Sequence, residues 1–248
     1  MAATATTEVR ATGRVRRLLV RATVVWLAGA LLFWAWYLAT QPFQAQLLYS
    51  YLWLGLVGVP VWLGRKRLER ALARWQLPGF PKFLLLGYAM VLAEEILAAL
   101  VNNLSEGFSP ALYLARIGQF WALNLLAFTG LIVGWYVLLR WIGYSRTEMF
   151  YLAGCFGLYS EHTIAVLPTS PLAFVLFAPL ITFVYGLILT PAMLSVPANQ
   201  RRRGWLSALW RYPLAFALPL LCSLPPLLLL TVLRDHYPNV FPPRKFVS

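Results

Sequence analysis

Seven apolar stretches, each roughly 20 residues long and separated by short loops, run through this chain. A helix of that length matches the hydrocarbon thickness of a bilayer. Inside lipid every backbone N–H and C=O needs a partner within the protein, and the α-helix supplies those partners locally. The fold expected is therefore all-α: a polytopic integral membrane helical bundle of seven transmembrane helices, forming one domain over residues 1–248. The spans fall at about 18–40, 46–64, 82–104, 118–140, 148–167, 171–195 and 212–233. With 60% hydrophobic and 12% charged residues and a mean hydropathy of +0.69, the composition is not that of a soluble domain.

The formal charge of +13 raises the question of nucleic acid, and the placement of the charges answers it. Arg14, Arg16 and Arg17 precede the first span, and Arg65, Lys66, Arg67, Arg70, Arg74 and Lys82 lie between the second and third. Arg140 and Arg146 follow the fourth, and Arg201, Arg202, Arg203 and Arg211 follow the sixth. Of the alternate connections, only the one after the third span carries a positive charge, Arg116. This asymmetry is the positive-inside pattern, with the N-terminus cytoplasmic and the C-terminus outside. It implies a multi-pass protein of the cell membrane whose basic loops meet an anionic inner leaflet, with no nucleic acid as partner. The first apolar run, Leu18 to Ala39, is longer than a signal-peptide core and reads as an uncleaved span.

Segment 65–76 places Leu68, Leu72 and Trp75 at helical spacing among arginines. It reads equally as an amphipathic helix on the inner leaflet or as a cytoplasmic extension of the second span. Trp34, Trp36 and Tyr37, and Trp205 and Trp210, read as aromatic belts at the two interfaces. Prolines 179, 191, 213, 219, 225 and 226 interrupt the last two spans and remove helix hydrogen bonds. Residues 234–248 read as an extramembrane tail. Cys155 and Cys222, both within apolar spans, read as small packing residues.

Glu94 and Glu95 stand in the middle of the third span, and Glu161 beside His162 in the fifth. A carboxylate at the bilayer centre costs about 2.5–3.5 kcal/mol on the insertion scale, and no packing role calls for that expense. Tyr88, Glu95 and Asn102 recur every seventh residue and form one stripe, while Glu94 projects about 100° away. Gly154, Gly157 and Glu161 share a face of the fifth span, and His162 projects beside Tyr159 and Cys155. Asn124 lies at a similar depth in the fourth span. No Lys or Arg is deep enough to neutralise three carboxylates, and His162 can pair with one. The others are expected to be protonated, hydrogen-bonded to Asn124, Asn102 or Tyr159, or neutralised by a bound cation.

Glu94, Glu95, Glu161 and His162 are therefore the candidate catalytic residues, and Asn124, Asn102, Tyr88 and Tyr159 the candidate substrate-binding ones. The plainer alternative is interhelical hydrogen-bond glue, worth about 0.6 kcal/mol per contact, which suits Asn102, Asn103 and Gln119. A metal site is not expected. Adjacent residues Glu161 and His162 diverge on a helix, and the only other histidine is His236. No cofactor motif is present.

Leu92-Ala93-Glu94-Glu95-Ile96-Leu97 resembles the first motif of the CAAX-type glutamate intramembrane proteases. In that family an Arg follows the second Glu by four residues, and Phe-x-x-x-His and His-x-x-x-Asn motifs lie on later helices. Here Ala99, Asn124 (after Phe120) and Val166 (after His162) occupy the corresponding Arg, His and Asn positions. The same pair is similar to the Pro-x-Glu-Glu of membrane-embedded lycopene cyclases, with Leu92 at the Pro position. Both resemblances imply only that a paired intramembrane Glu can serve acid–base chemistry on a lipid-soluble substrate, and membership of neither family is claimed.

Three functions follow as expectations. The first is an intramembrane acid–base enzyme acting on a polyene, another lipid or a membrane peptide. The second is a proton- or cation-coupled transporter. The third is an assembly subunit whose carboxylates meet a membrane protein partner.

Overall fold

The computed structural model describes residues 2–42, 44–197, 207–238 and 240–241. Among these there is no strand, and the chain folds as an all-α membrane bundle. The helices are α1 (Ala2–Thr40), α2 (Ala45–Trp53), α3 (Val59–Arg74), α4 (Gly79–Ser105), α5 (Pro110–Val137), α6 (Arg146–Ser160), α7 (Thr163–Val166), α8 (Pro171–Ser195) and α9 (Ala208–His236). A π-helical turn, Leu54–Gly58, joins α2 to α3 as one rod, and a second, Leu138–Ile142, extends α5. The expectations for Arg201–Arg203, Trp205, the side chains of Arg14 and Arg16, and the tail beyond residue 241 lie outside the described residues.

Among the described residues six helices are long and apolar enough to cross a membrane: Arg17–Thr40, Ala45–Arg74, Gly79–Ser105, Pro110–Ile142, Pro171–Ser195 and Leu209–His236. The stretch expected as the fifth span, 148–167, is not one continuous helix. α6 has 15 residues and ends at Ser160, and only the four-residue α7 follows. The cause is local. The Glu161 amide bonds to Gly157 O at 2.9 Å, and the His162 amide bonds to Tyr159 O at 3.1 Å in a tightened turn. His162 then adopts the left-handed region, φ 54°, and the helix cannot continue through it.

Segment 65–74 continues the α2–α3 rod without a break, as an extension of the second span would. Lys82 closes the end of that rod, its Nζ donating to Leu72 O at 3.0 Å and Trp75 O at 2.7 Å. The last helix runs to His236, three residues into the expected tail, and is continuous through its four internal prolines. Elsewhere the helix boundaries follow ordinary signals. Ser109 caps α5 ahead of Pro110, Ser145 and Glu148 form a capping box on α6, and Gly143, φ 83°, ends the π turn after α5.

The basic connections gather at one end of the bundle. Arg146 reaches Glu69 at 2.5 Å and the carbonyls of Leu194 and Val196 at 3.4 and 3.2 Å. Arg211 approaches Glu148 at 3.7 Å and Gly143 O at 3.4 Å, and its guanidinium lies over the Tyr144 ring. The Tyr144 hydroxyl donates to Arg211 O, and burial pushes its pKa up to about 12. At the opposite end Arg116 pairs with Glu106, and Asn103 Nδ2 donates to Ser109 O at 2.9 Å across the α4–α5 turn.

α8 is the centre of the packing, touching α1, α2, α3, α4, α6 and α7. Three indoles from the first two hydrophobic rods donate to its backbone: Trp26 to Val175 O at 2.7 Å, Trp34 to Leu176 O at 3.3 Å and Trp53 to Val184 O at 3.3 Å. Trp34 is therefore a core residue, its ring tilted against Phe177 with centroids 4.5 Å apart, rather than part of an interfacial belt. Small residues set the closest approaches. A Cβ at Gly154 would lie 2.8 Å from Thr182 Cα, and one at Gly134 would lie 2.6 Å from Pro219 Cα.

Candidate functional site

Adjacent residues on a helix point about 100° apart, so Glu94 and Glu95 leave α4 in different directions. α4 lies between α2 and α5 with α8 also against it, so both directions meet protein. Glu94 accepts a hydrogen bond from the Tyr49 hydroxyl of α2, and Glu95 accepts one from Asn124 Nδ2 of α5. The third carboxylate, Glu161, stands just past the last residue of α6 and accepts from the Tyr185 hydroxyl of α8. Ser160 Oγ donates to the same phenol at 3.2 Å.

These groups form one neighbourhood. Glu161 acts electrostatically on both Glu94 and Glu95, and Tyr185 interacts electrostatically with Glu94 and Tyr49. By the helical rise, Tyr185 is about 21 Å from the first residue of α8 and about 15 Å from its last. The cluster thus sits deep within the apolar length of the bundle. Exposure grades across it. Glu95 is buried at 8%, Glu94 is half-buried, and Glu161 is exposed at the rim.

No Lys, Arg or His forms an ion pair with any of these carboxylates among the described residues. Their hydrogen-bond partners are two phenols and an amide, all of them neutral donors, and Glu94 and Glu95 also bond each other. An isolated carboxylate in such surroundings is costly, so the arrangement favours proton sharing. Nor do three His, Cys, Asp or Glu side chains gather closely enough among the described residues to hold a metal ion.

Of the residues expected at the site, Glu94, Glu95, Glu161 and Asn124 come together. The other four do not. The left-handed turn leaves the His162 side chain exposed and without a hydrogen bond, so the expected Glu–His pairing is absent. Tyr159 is 57% exposed, its ring beside Phe156. Asn102 is exposed near the end of α4. Tyr88 bonds Thr129 Oγ1 at 2.5 Å in the α4–α5 seam, two turns from Glu95.

Sequence reasoning missed Tyr49, Tyr185 and Ser160. The available signal was a phenol in the middle of an apolar run, which must find a partner in lipid. Twelve tyrosines in the chain dilute that signal. Beside Tyr185, a cavity of about 20 Å³ is lined by Phe128, Leu131, Trp135, Phe156 and Ile188. It is apolar and of water size, so it is no substrate chamber.

No family model, characterised protein or solved structure matches the chain.

Proposed function

We propose that the protein is an intramembrane acid–base enzyme of the cell membrane, acting on a lipophilic substrate that reaches Glu161 laterally from the bilayer. The observation carrying this reading is the convergence of Glu94, Glu95 and Glu161 with two phenols and an amide, deep in the bundle and without a cation. A neutral carboxylic acid held there donates a proton to an apolar-soluble group, and its ionised neighbour withdraws one. Asn124 orients Glu95, and the exposed rim at Glu161 gives a substrate its approach.

The accompanying topology has seven crossings, with the N-terminus cytoplasmic and the C-terminus outside. Arg146, at the start of α6, bonds carbonyls at the end of α8, so these helices run antiparallel and α8 begins at the far end. α6, the broken turn and α7 together then complete a fifth crossing. The basic end meets an anionic inner leaflet.

A second reading, a proton- or cation-coupled transporter, is favoured by one feature. α6 is interrupted at Glu161–His162 within its crossing, as discontinuous helices are at transporter sites. An assembly role explains less, because the carboxylates find their partners within this chain.

The test compares lipid extracts of membranes holding the wild type, Glu95→Gln or Glu161→Gln. The enzyme reading expects one lipid species to change in wild type and in neither variant, with all three proteins equally well folded in detergent. Unchanged lipids, together with a proteoliposome proton or cation flux that both variants abolish, would replace it with the transporter.

A further inference from the structure

Tyr185 stands where the exposed and buried parts of the cluster meet. Its ring fills a slot left by Gly157, since a Cβ at that position would overlap the ring. Its hydroxyl donates to Glu161 and accepts from Ser160 Oγ at 3.2 Å. Gly157, Ser160 and Glu161 thus seat one side chain of α8, the glycine taking the ring and the other two gripping the oxygen. A phenylalanine would fill the slot equally well, so packing does not account for the hydroxyl. A phenol both accepts and donates, which is what proton transfer between two carboxylates requires. The titratable groups that act on it are Glu161 at the end of α6, Glu94 of α4 and Tyr49 of α2, with Glu95 beside Glu94. His162 and Tyr159, on the segment that carries Glu161, are exposed away from it.

We infer that Tyr185 is the positioning residue of this site: it holds Glu161 at the open face of the bundle and links it to Glu94 and Glu95, so that the buried pair exchanges protons by way of Glu161. In one transfer the Tyr185 hydroxyl gives its proton to the Glu161 carboxylate that accepts from it. A proton from Glu94 replaces it on the phenol oxygen through a bridging water. Glu161 is left neutral, Glu94 ionised and Tyr185 unchanged. The inference rests on the acid–base reading for its purpose, but its test needs no product.

The full-length protein is placed in phosphatidylcholine–phosphatidylglycerol nanodiscs, moved from H2O to D2O and followed by the infrared stretch of protonated carboxyls. Glu94→Gln, Glu95→Gln and Glu161→Gln assign the bands. Tyr185→Phe keeps the ring, and it should slow deuteration of the Glu94 and Glu95 bands by about tenfold or more. Glu161→Gln should slow it similarly. Tyr51→Phe, which removes a phenol bonded instead to Leu31 O, should exchange like wild type. Wild-type exchange in Tyr185→Phe or in Glu161→Gln overturns the inference, and the latter decides alone if the former does not fold. If no protonated carboxyl band appears in the wild type, the acid–base reading falls and takes the relay with it. Unchanged exchange of a band that is present removes the relay only.

Discussion

α6 carries a glutamate at each end, and the two live under opposite conditions. Glu148 opens the helix at the basic end of the bundle, within 3.7 Å of Arg211, and Glu69 nearby is held by Arg146. Glu161 closes the same helix, where it meets Tyr185, with Glu94 and Glu95 beyond and no cation among them. Both regions tie several helices together through polar side chains. At the basic end charge is matched by charge, and the arrangement is complete as a fastening. In the deep cluster three ionisable acids are left with neutral donors, more than a fastening needs. Neutral amides would bond as well at lower cost. The difference separates acids matched by a cation from acids that meet neutral donors.

Substitutions can break that comparison. The largest effect is expected at Glu95→Gln and Glu161→Gln, each lowering activity by about 10²–10⁴ with the thermal midpoint unchanged or raised. A drop in midpoint with activity retained would make the cluster another fastening. Arg211→Met should act oppositely, costing about 3 kcal/mol in detergent unfolding by leaving Glu148 without its cation. Adding Glu148→Gln to it should recover most of the loss, and no recovery would mean that packing, not charge, carries the contact. Gly157→Ala should cost about 1–3 kcal/mol by forcing the Tyr185 ring out of its slot, and activity should fall with it.

The smallest expected change is Tyr144→Phe, about 1 kcal/mol, from loss of the bond to Arg211 O. Tyr144 also has a pH signature. Its pKa is raised from 10.0 to about 12 in the fold, so its contribution is full below pH 10 and is lost as pH rises toward 12. A titration of unfolding free energy in Tyr144→Phe should lack that alkaline decline.

Much of this was legible in the chain, for reasons that differ by residue. The six long helices were readable because hydropathy is a local property, and Glu94, Glu95 and Glu161 because burial in lipid makes a carboxylate conspicuous. Asn124 was readable from depth alone. Tyr49 and Tyr185 were not, because which phenol meets which acid depends on contacts 45 and 24 residues apart in sequence. His162 misled for a local reason. A helical wheel assumes a helix, and one left-handed residue turns the side chain out of the pattern. Trp34 misled because its sequence position resembles an interfacial aromatic, while its indole is engaged by α8.

The central place of α8 has a consequence for how the protein is made. Contacts such as Trp26 to Val175 and Trp53 to Val184 join residues 149 and 131 positions apart, so the helix that α1 to α4 pack against leaves the ribosome after them. Until it arrives, the indoles of Trp26 and Trp53 and the bare faces of Gly154 and Gly157 have only lipid or a chaperone to meet. A nascent chain stalled before residue 171 would carry its first three long helices without their common support, and such a chain is one a membrane quality-control protease would recognise.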